Sequence, residues 1–343
     1  MGLRLMVMRA ICLCVVAALT MPALAQTQNP QNPQAAQAPK VPDDERKALE
    51  KINTVTGTAA KLQAADEYVK KFGKSPRRAK VASYISNEIS NVQDNAQRIA
   101  LAQSFIATFT QPEEVDLVKP TMIDALVKAN KLDEAFSEAA KYLEKHPDDV
   151  LLQTQLAIIG AEQAQHQNTK FVPASQQFGV KAIELMETDK KPAQMDAAAW
   201  QQYRGQWLPR LYQSQGVLLY LANDRPGARE RLEKSVGLDA NDPSTLMMLG
   251  MLSDDEYQQL AKQYNTEKAG PGKDAILKQA FAKMDEVIDW FARAVAASEG
   301  KPEFQVMNQQ LMQNLQSYYS YRHNNSTDGL KQLIEKYKKP AGQ

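Results

Sequence analysis

Three prolines at a regular interval most constrain what this chain can fold into. Each ends a segment in which apolar residues recur at helical spacing; the segments read AADEYVKKFGKSP, ALAQSFIATFTQP and AFSEAAKYLEKHP and close at Pro76, Pro112 and Pro147. Proline suits such a boundary because it lacks the amide of the next helical hydrogen bond and disfavours helix at the residue before it. A repeat in the mid-thirties built from two helices is typical of stacked helical hairpins.

Small residues recur at related places further along the chain. Gly216 and Gly250 are one such period apart, and Ala228 lies between them. Two helices that cross closely need a small residue where their backbones approach, although glycine costs about 1 kcal/mol relative to alanine inside a helix. We therefore predict that these residues lie where paired helices touch, with leucines such as Leu232 filling the neighbouring groove.

In this register the chain resembles the tetratricopeptide repeat, a unit of about 34 residues in two antiparallel helices. The motif residues that carry the resemblance are Gly216, Ala228, Leu232, Leu246, Leu249, Gly250, Ala135 and Pro147. The sequence departs from the repeat at Ala240, where proline is usual, and at Tyr212, where tryptophan is usual. The resemblance covers most of the chain after its N-terminal segment and is strongest at 131–147 and 212–250.

The predicted fold is all-α, an α-solenoid of about seven antiparallel helical hairpins. The resemblance implies that they wind into a right-handed superhelix with a concave groove. The predicted hairpin spans are 43–73, 77–110, 113–146, 148–188, 195–238, 242–298 and 302–338. We expect insertions between the two helices of a hairpin at 165–175 and at 265–275, as loops along one edge of the solenoid.

The N-terminus has the layout of a secretory signal peptide. Arg4 and Arg9 precede the apolar run ICLCVVAALT, and Ala23-Leu24-Ala25 is a small-x-small site, which predicts cleavage before Gln26. A retained membrane anchor is the alternative, although the apolar run is shorter than the roughly 20 residues that a bilayer core requires. We expect a bacterial protein exported to the periplasm or the cell exterior.

The predicted organisation follows from these segments. Residues 1–25 form the signal peptide, and 26–42 form a disordered linker rich in Gln, Pro and Ala. A helical-repeat domain of tetratricopeptide type occupies 43–338, and 339–343 are a C-terminal tail.

Composition and motifs exclude several functional classes. The only cysteines, Cys12 and Cys14, lie in the signal segment, so the mature chain would have no disulfide and no thiolate ligand. The balance of 41 Lys and Arg against 40 Asp and Glu argues against a nucleic-acid partner. KAGPGKDA, at 268–275, lacks the strand and the Ser or Thr of a phosphate loop. We expect no catalytic residue, no cofactor, no metal site, and no stable membrane insertion after signal cleavage.

Two clusters have both a structural and a functional interpretation. The methionines of LMMLGML, at 246–252, fill a core or grip an apolar ligand; the less favoured alternative is Cu(I) binding through thioethers. Asp254, Asp255 and Glu256 point about 100° apart on a helix and cannot converge on one substrate. We interpret these three acids as a solvated cluster.

Aromatic residues mark another segment, WQQYRGQWLPRLY. Trp200, Tyr203 and Trp207 share one helix face by their spacing of three and four. They either pack in the core against the adjacent hairpin or form a binding patch with Arg204 and Arg210, since interface hot spots favour Trp, Tyr and Arg.

The resemblance implies a non-enzymatic scaffold or adaptor that holds a segment of a partner protein in its groove. In the family register the groove-facing candidates are Arg210, Gln213, Val217, Tyr220, Met247 and Met251. The alternatives are a glycan-acting envelope enzyme, which would need converging carboxylates in the groove, and a solenoid that assembles with itself. The sequence names neither the partner nor the oligomeric state.

Overall fold

The computed structural model describes residues 41–338, and within that range the chain consists of helices and turns without a β-strand. The described residues fall into two compact units, 41–147 and 148–338. The prediction of an all-α fold is confirmed. The predicted signal peptide, nearly all of the predicted linker and the predicted tail lie outside the described residues, so their boundaries stay predictions.

The unit 41–147 contains three helical hairpins. Its helices are α1 Asp43–Thr54, α2 Thr58–Phe72, α3 Arg78–Ser90, α4 Asn95–Thr108, α5 Pro112–Lys128 and α6 Leu132–Lys145. Pro112 is the first residue of α5, where a missing amide leaves no helical bond unmade. Pro76 and Pro147 lie in the connections between helices. The core consists of large residues such as Tyr68, Ile85, Phe105, Phe109 and Ile123.

The unit 148–338 contains four more hairpins. Its helices are α7 Val150–Gln165, α8 Val172–Glu187, α9 Ala197–Leu221, α10 Arg225–Leu238, α11 Pro243–Thr266, α12 Pro271–Ser298, α13 Gln305–Arg322 and α14 Leu330–Tyr337. The seven hairpins begin and end within a few residues of the predicted spans. The second predicted insertion is mostly helical, because α11 extends to Thr266 and α12 begins at Pro271. None of the helices in the described range is long and apolar enough to cross a bilayer.

Aspartate side chains begin five of these helices. Asp94, Asp149, Asp196, Asp224 and Asp242 each accept a hydrogen bond from a backbone amide in the first turn of the helix that follows. Such a cap satisfies one of the four free amides at a helix start and contributes about 1 kcal/mol. Asp224, for example, caps the start of α10 by accepting from the Gly227 amide.

Two asparagines that precede helix starts close the helix before them. Asn130 and Asn223 have positive φ values of 56° and 65°. The amides of Asn223 and Asp224 donate to the carbonyl oxygens of Tyr220 and Leu219, which closes the end of α9. Asn130 closes α5 in the same way, donating to Val127. Both asparagines terminate the preceding helix, because asparagine tolerates the left-handed conformation that this closure requires.

Glycines lie where the two helices of a hairpin touch, as predicted for Gly216 and Gly250. A Cβ added at Gly216 in α9 would lie 2.7 Å from Cγ of Leu232 in α10. One at Gly250 in α11 would lie 2.5 Å from the Phe291 ring in α12. Gly160 in α7 has the same relation to α8, where a Cβ would meet that of Ser175 at 2.5 Å. Gly160 therefore lies at a helix contact of the kind that the sequence predicted for Gly216 and Gly250.

Two glycines of α9 allow a matched test of this close packing. We expect Gly216→Ala to destabilise the protein by about 1 kcal/mol, because overpacking against the buried Leu232 outweighs the gain in helix propensity. Gly205, in the same helix, has nothing within 4 Å of an added Cβ. Gly205→Ala should therefore stabilise by about 0.5–1 kcal/mol. Urea unfolding followed by circular dichroism measures both, and two changes of the same sign would contradict the account.

Candidate functional site

One face of α9 carries polar side chains with surface access. Tyr203, Gln206, Arg210 and Gln213 follow one another at spacings of three and four, so they share a side of the helix. Gln206 is exposed and the other three are half-buried. We call these four residues the Arg210 face. It includes two of the six predicted groove residues, Arg210 and Gln213.

Arg210 is held in place but is not fully hydrogen-bonded. Its guanidinium carbon lies 5.1 Å from the centre of the Trp207 ring, a cation–π contact that fixes its orientation. Its Nη1 is buried, yet no acceptor among residues 41–338 reaches it. A buried donor left without a partner costs about 1–3 kcal/mol.

Glu162, in α7, is a largely desolvated carboxyl group that the charge of Arg210 influences. Burial raises the pKa of its carboxyl group to about 7, and the positive charge of Arg210 opposes that rise. No ion pair or side-chain hydrogen bond forms at this carboxyl group within the described part of the chain. A desolvated carboxyl group with a strongly raised pKa is a feature that concentrates at functional sites.

Asp242 and Gln213 extend the site to the start of α11. Gln213 Nε2 donates to Asp242 Oδ2 over 2.6 Å, and the same oxygen accepts from the Thr245 amide over 2.6 Å. Burial raises the pKa of Asp242, and Asp239 adds to the rise, while the bonds from Thr245 and the charge of Arg210 oppose it. Asp242 is thus committed to capping α11.

The other predicted groove residues are mostly inside the protein. Val217, Tyr220 and Met247 are 5%, 8% and 0% exposed, and they belong to one core shared by α9 to α14. The prediction that these three face an open groove is wrong, because the later hairpins close over that end of α9. Met251 is half-buried against the same core. The structure therefore does not gather all six residues on one accessible surface.

Tyr220 has a structural role instead. Its hydroxyl donates to Asp255 Oδ2 over 3.1 Å, and the Arg225 guanidinium lies 3.9 Å from its ring centre. Arg225 Nε also pairs with Asp255 over 3.0 Å. These contacts connect α9, α10 and α11 around a carboxylate that is 7% exposed.

The three consecutive acids are therefore not a solvated cluster, and that interpretation is wrong. Because they point in different directions on α11, the three acids reach different combinations of neighbouring helices. Asp254 accepts from the hydroxyl of Tyr318 in α13, and Asp255 contacts α9 and α10. Glu256 pairs with Arg229 at 3.0 Å and with Lys283 at 2.8 Å. The different directions of the three side chains, which argued against a catalytic site, allow this segment of α11 to bind several helices at once.

The aromatic segment belongs mainly to the core. Trp200, Trp207 and Tyr212 are buried, and Trp200 Nε1 donates to Asp189 Oδ1 over 2.8 Å. Tyr203 stacks on Trp200 and is tilted against Trp207, with ring centres 6.0 and 6.1 Å away. Burial also raises the pKa of the Tyr203 hydroxyl. The core interpretation holds for these rings, while Tyr203 retains an edge on the Arg210 face.

The unit 41–147 has a cavity of its own. It has a volume of about 510 Å³ with an apolar floor of Ile106, Met122 and Leu126. At its edge Lys119 pairs with Glu138, and Asp133 and Glu134 add two further carboxylates to the lining. None of the six predicted residues lines it. Within residues 41–338 no three His, Cys, Asp or Glu side chains are placed to hold a metal ion.

Glu162 is the functional candidate that sequence reasoning missed. The sequence does carry a signal for it, because Glu162 is the only charged residue of α7 and follows the apolar run LAIIGA. A single carboxylate in an otherwise uncharged helix is costly unless it reaches water or a partner.

The fold defines a class, an all-α protein of tandem helical hairpins. No family model matches the sequence, and no curated protein matches it. Among solved structures it is similar to a tetratricopeptide repeat protein from Parabacteroides merdae, with 10% identity, a TM-score of 0.36, and coverage of 79% of this chain and 100% of that one.

Two structures of IFIT1 are also similar. A monomeric mutant with Gppp-AAAA has 12% identity and a TM-score of 0.31, with coverage of 87% of this chain and 74% of that one. The human IFIT1 dimer with m7Gppp-AAAA has 12% identity and a TM-score of 0.30, with coverage of 86% and 72%.

Proposed function

We propose that this protein is a non-enzymatic scaffold or adaptor of the bacterial cell envelope that holds a segment of a partner protein against the Arg210 face. The observation that carries the proposal is the half-buried Arg210 side chain, whose guanidinium group stacks on Trp207 one helical turn from the exposed Gln206. A bound segment would pack on this oriented arginine, a residue type that is enriched where binding energy concentrates.

The setting of Arg210 supports a binding role. Its stacking on Trp207, which is itself buried, holds the guanidinium group in one orientation before any partner arrives. Pre-organisation of this kind reduces the entropy that binding must otherwise overcome. Arginine and tyrosine, both present on this face, are enriched among residues that dominate binding energies.

The envelope location rests on the N-terminal sequence alone. Arg4 and Arg9, the apolar run and the Ala23-Leu24-Ala25 site are the features of an export signal. In this proposal the mature chain acts outside the cytoplasm, where its lack of cysteine removes any dependence on disulfide formation.

A binding role also fits the carboxylates better than an enzymatic one. Glu162, with a pKa of about 7, has the protonation behaviour of a general acid. A glycan-cleaving site needs a second carboxylate free to act. Asp242, the other carboxylate within the field of Arg210, is occupied by the Thr245 amide and by Gln213. The proposal therefore assigns no reaction to the site.

Photo-cross-linking in the native envelope tests the proposal. We expect p-benzoylphenylalanine at Gln206, on the Arg210 face, to capture one dominant partner. The same residue at Glu230, an exposed position of α10, should capture none. Arg210→Ala should lower the Gln206 yield about tenfold, which corresponds to about 1.4 kcal/mol of lost binding.

A matched arginine provides the control. Arg293 stacks on Trp290 at 4.9 Å, as Arg210 does on Trp207, but lies on α12. Arg293→Ala should leave the cross-linking yield unchanged. Equal capture from Gln206 and Glu230, or equal loss from the two arginine variants, would rule out the Arg210 face as the binding surface.

A further inference from the structure

The outer face of α13 is exposed to solvent and carries no charge. No Asp, Glu, Lys or Arg occurs from Gln305 to Tyr321, although 24% of the residues of the chain are charged. The buried residues of this helix recur at every fourth position, at Met307, Leu311, Leu315 and Tyr319. On the opposite side lie five exposed residues and one half-buried serine, namely Val306, Gln309, Gln313, Gln316, Ser317 and Ser320. We call these six residues the Gln313 seam.

The spacing of the Gln313 seam is that of a helix-pairing surface. Val306, Gln309, Gln313 and Gln316 follow one another at intervals of three, four and three, the heptad spacing that keeps a row of side chains facing a partner helix. The apolar member of this row, Val306, is 58% exposed. The cores of protein interfaces are depleted of charged residues, which are otherwise common on exposed helices. The Gln313 seam therefore combines the spacing and the neutrality of a contact with another helix.

We propose that the partner is a second copy of this chain, whose α13 packs antiparallel on the Gln313 seam about a two-fold axis at Gln313. A two-fold axis brings the same surface of both copies together. Residues at equal distances from Gln313 then face each other, so Val306 faces Ser320 and Gln309 faces Ser317 of the second copy. Gln313 faces its own copy. Each longer side chain thus meets either a small serine or its equivalent on the axis, which allows the two helices to approach closely.

The chemistry of the seam suits contact with itself. A glutamine side chain has both an acceptor and two donors, so two copies of Gln313 can bond to each other across the axis. A charged residue at this position would instead meet its own charge, which is strongly unfavourable. The hydroxyl groups of Ser317 and Ser320 donate to the carbonyl oxygens of Gln313 and Ser317 in their own helix, over 3.0 and 3.2 Å. These two serines therefore need no hydrogen bond from the facing helix.

The size of the seam sets the strength of the contact. The helix has 18 residues and a length of about 27 Å at 1.5 Å per residue. A single pair of helices buries less than the roughly 1,600 Å² of a standard interface, so we expect a reversible dimer that forms with rising concentration. A dimer carries two Arg210 faces and would bind a partner that presents two segments more tightly than a monomer does. The dimer itself does not depend on the proposed function.

Sedimentation velocity of the purified chain over a range of concentrations tests this inference. We expect an equilibrium between monomer and dimer with a Kd in the micromolar range. Gln313→Glu and Gln313→Lys should each raise that Kd at least about tenfold, because each places two like charges opposite each other. An equal mixture of the two variants should restore the Kd of the unaltered chain to within about threefold, since a carboxylate then faces an ammonium group across the axis.

A matched variant controls for the added charge. Gln63 is an exposed glutamine of α2, so Gln63→Glu adds the same charge away from the seam and should leave the Kd unchanged. Circular dichroism checks that each variant keeps the helical content of the unaltered chain. A chain that stays monomeric at every concentration would overturn the inference, and so would a dimer that Gln313→Glu does not weaken. A mixture that fails to restore the dimer would overturn the antiparallel arrangement about Gln313. Cross-linking at Gln206 is read separately, so the proposed function and this dimer can fail independently.

Discussion

Replacing Trp200 by alanine is expected to destabilise the protein by about 3–5 kcal/mol, the usual cost of truncating a buried tryptophan. The side chain is 1% exposed and stacks on Tyr203 with an angle of 11° between the rings. Its Nε1 donates to Asp189 Oδ1, which also accepts from Arg204 over 3.0 Å. The substitution therefore leaves a large cavity and removes one of two donors that hold the connection between α8 and α9.

Urea unfolding followed by circular dichroism gives the size of this effect. Tyr321, which is 64% exposed, provides the control, and Tyr321→Ala should change the stability by no more than about 0.5 kcal/mol. Trp200→Phe retains a ring and should cost less than alanine, which covers the case in which the alanine variant does not fold. A loss below about 1 kcal/mol for Trp200→Ala would mean that the ring is not part of the core.

The pairing of the helices was predictable because its sequence signals are glycines at positions where helix propensity disfavours them. Glycine is unfavourable inside a helix, so Gly216 and Gly250, one repeat apart, indicate a packing requirement. Gly160 meets the same requirement, yet its distance to Gly216 differs from one period. Because the chain between α7 and α9 is longer than one repeat, the spacing of Gly160 and Gly216 does not show that the two glycines have equivalent positions.

The depth of each side chain was not predictable from the repeat register. The register places Arg210, Val217 and Tyr220 on α9, where Arg210 is half-buried and the other two are buried. Burial depends on what the rest of the chain places over each residue. One core extends over α9 to α14 and includes Leu311, Leu315 and Ile334 from the last two helices, far away in sequence.

The acids of α11 show the same limit for charged residues. A run of three carboxylates is usually solvated, which is the expectation that composition supports. Here the partners come from four different helices, at sequence separations of up to 64 residues between Asp254 and Tyr318. No local pattern around Asp254, Asp255 and Glu256 encodes those partners.

A buried ion pair links successive hairpins of the unit 41–147. Arg78 Nε and Nη2, at the start of α3, donate to the two carboxylate oxygens of Glu114 in α5 over 2.7 and 2.8 Å. The two residues are 36 positions apart, and their side chains are 14% and 4% exposed. Glu114 also accepts from the Gln111 amide as part of the capping box of α5. One carboxylate therefore both starts a helix and fixes it to the preceding hairpin.

Arg78→Ala is expected to cost about 3–5 kcal/mol, because it leaves the Glu114 charge buried without its partner. Hydrogen exchange of the α3 and α5 amides reports this unit specifically.

Arg322 provides a matched control, since it also makes two bonds to one carboxylate, that of Asp285, but with side chains 37% and 52% exposed. Arg322→Ala should cost no more than about 1 kcal/mol, because solvent screens an exposed pair. Equal losses for the two variants would show that burial does not set the strength of the Arg78–Glu114 pair. Arg78→Ala combined with Glu114→Gln should recover part of the loss, because it removes the uncompensated charge and keeps an acceptor for the Gln111 amide.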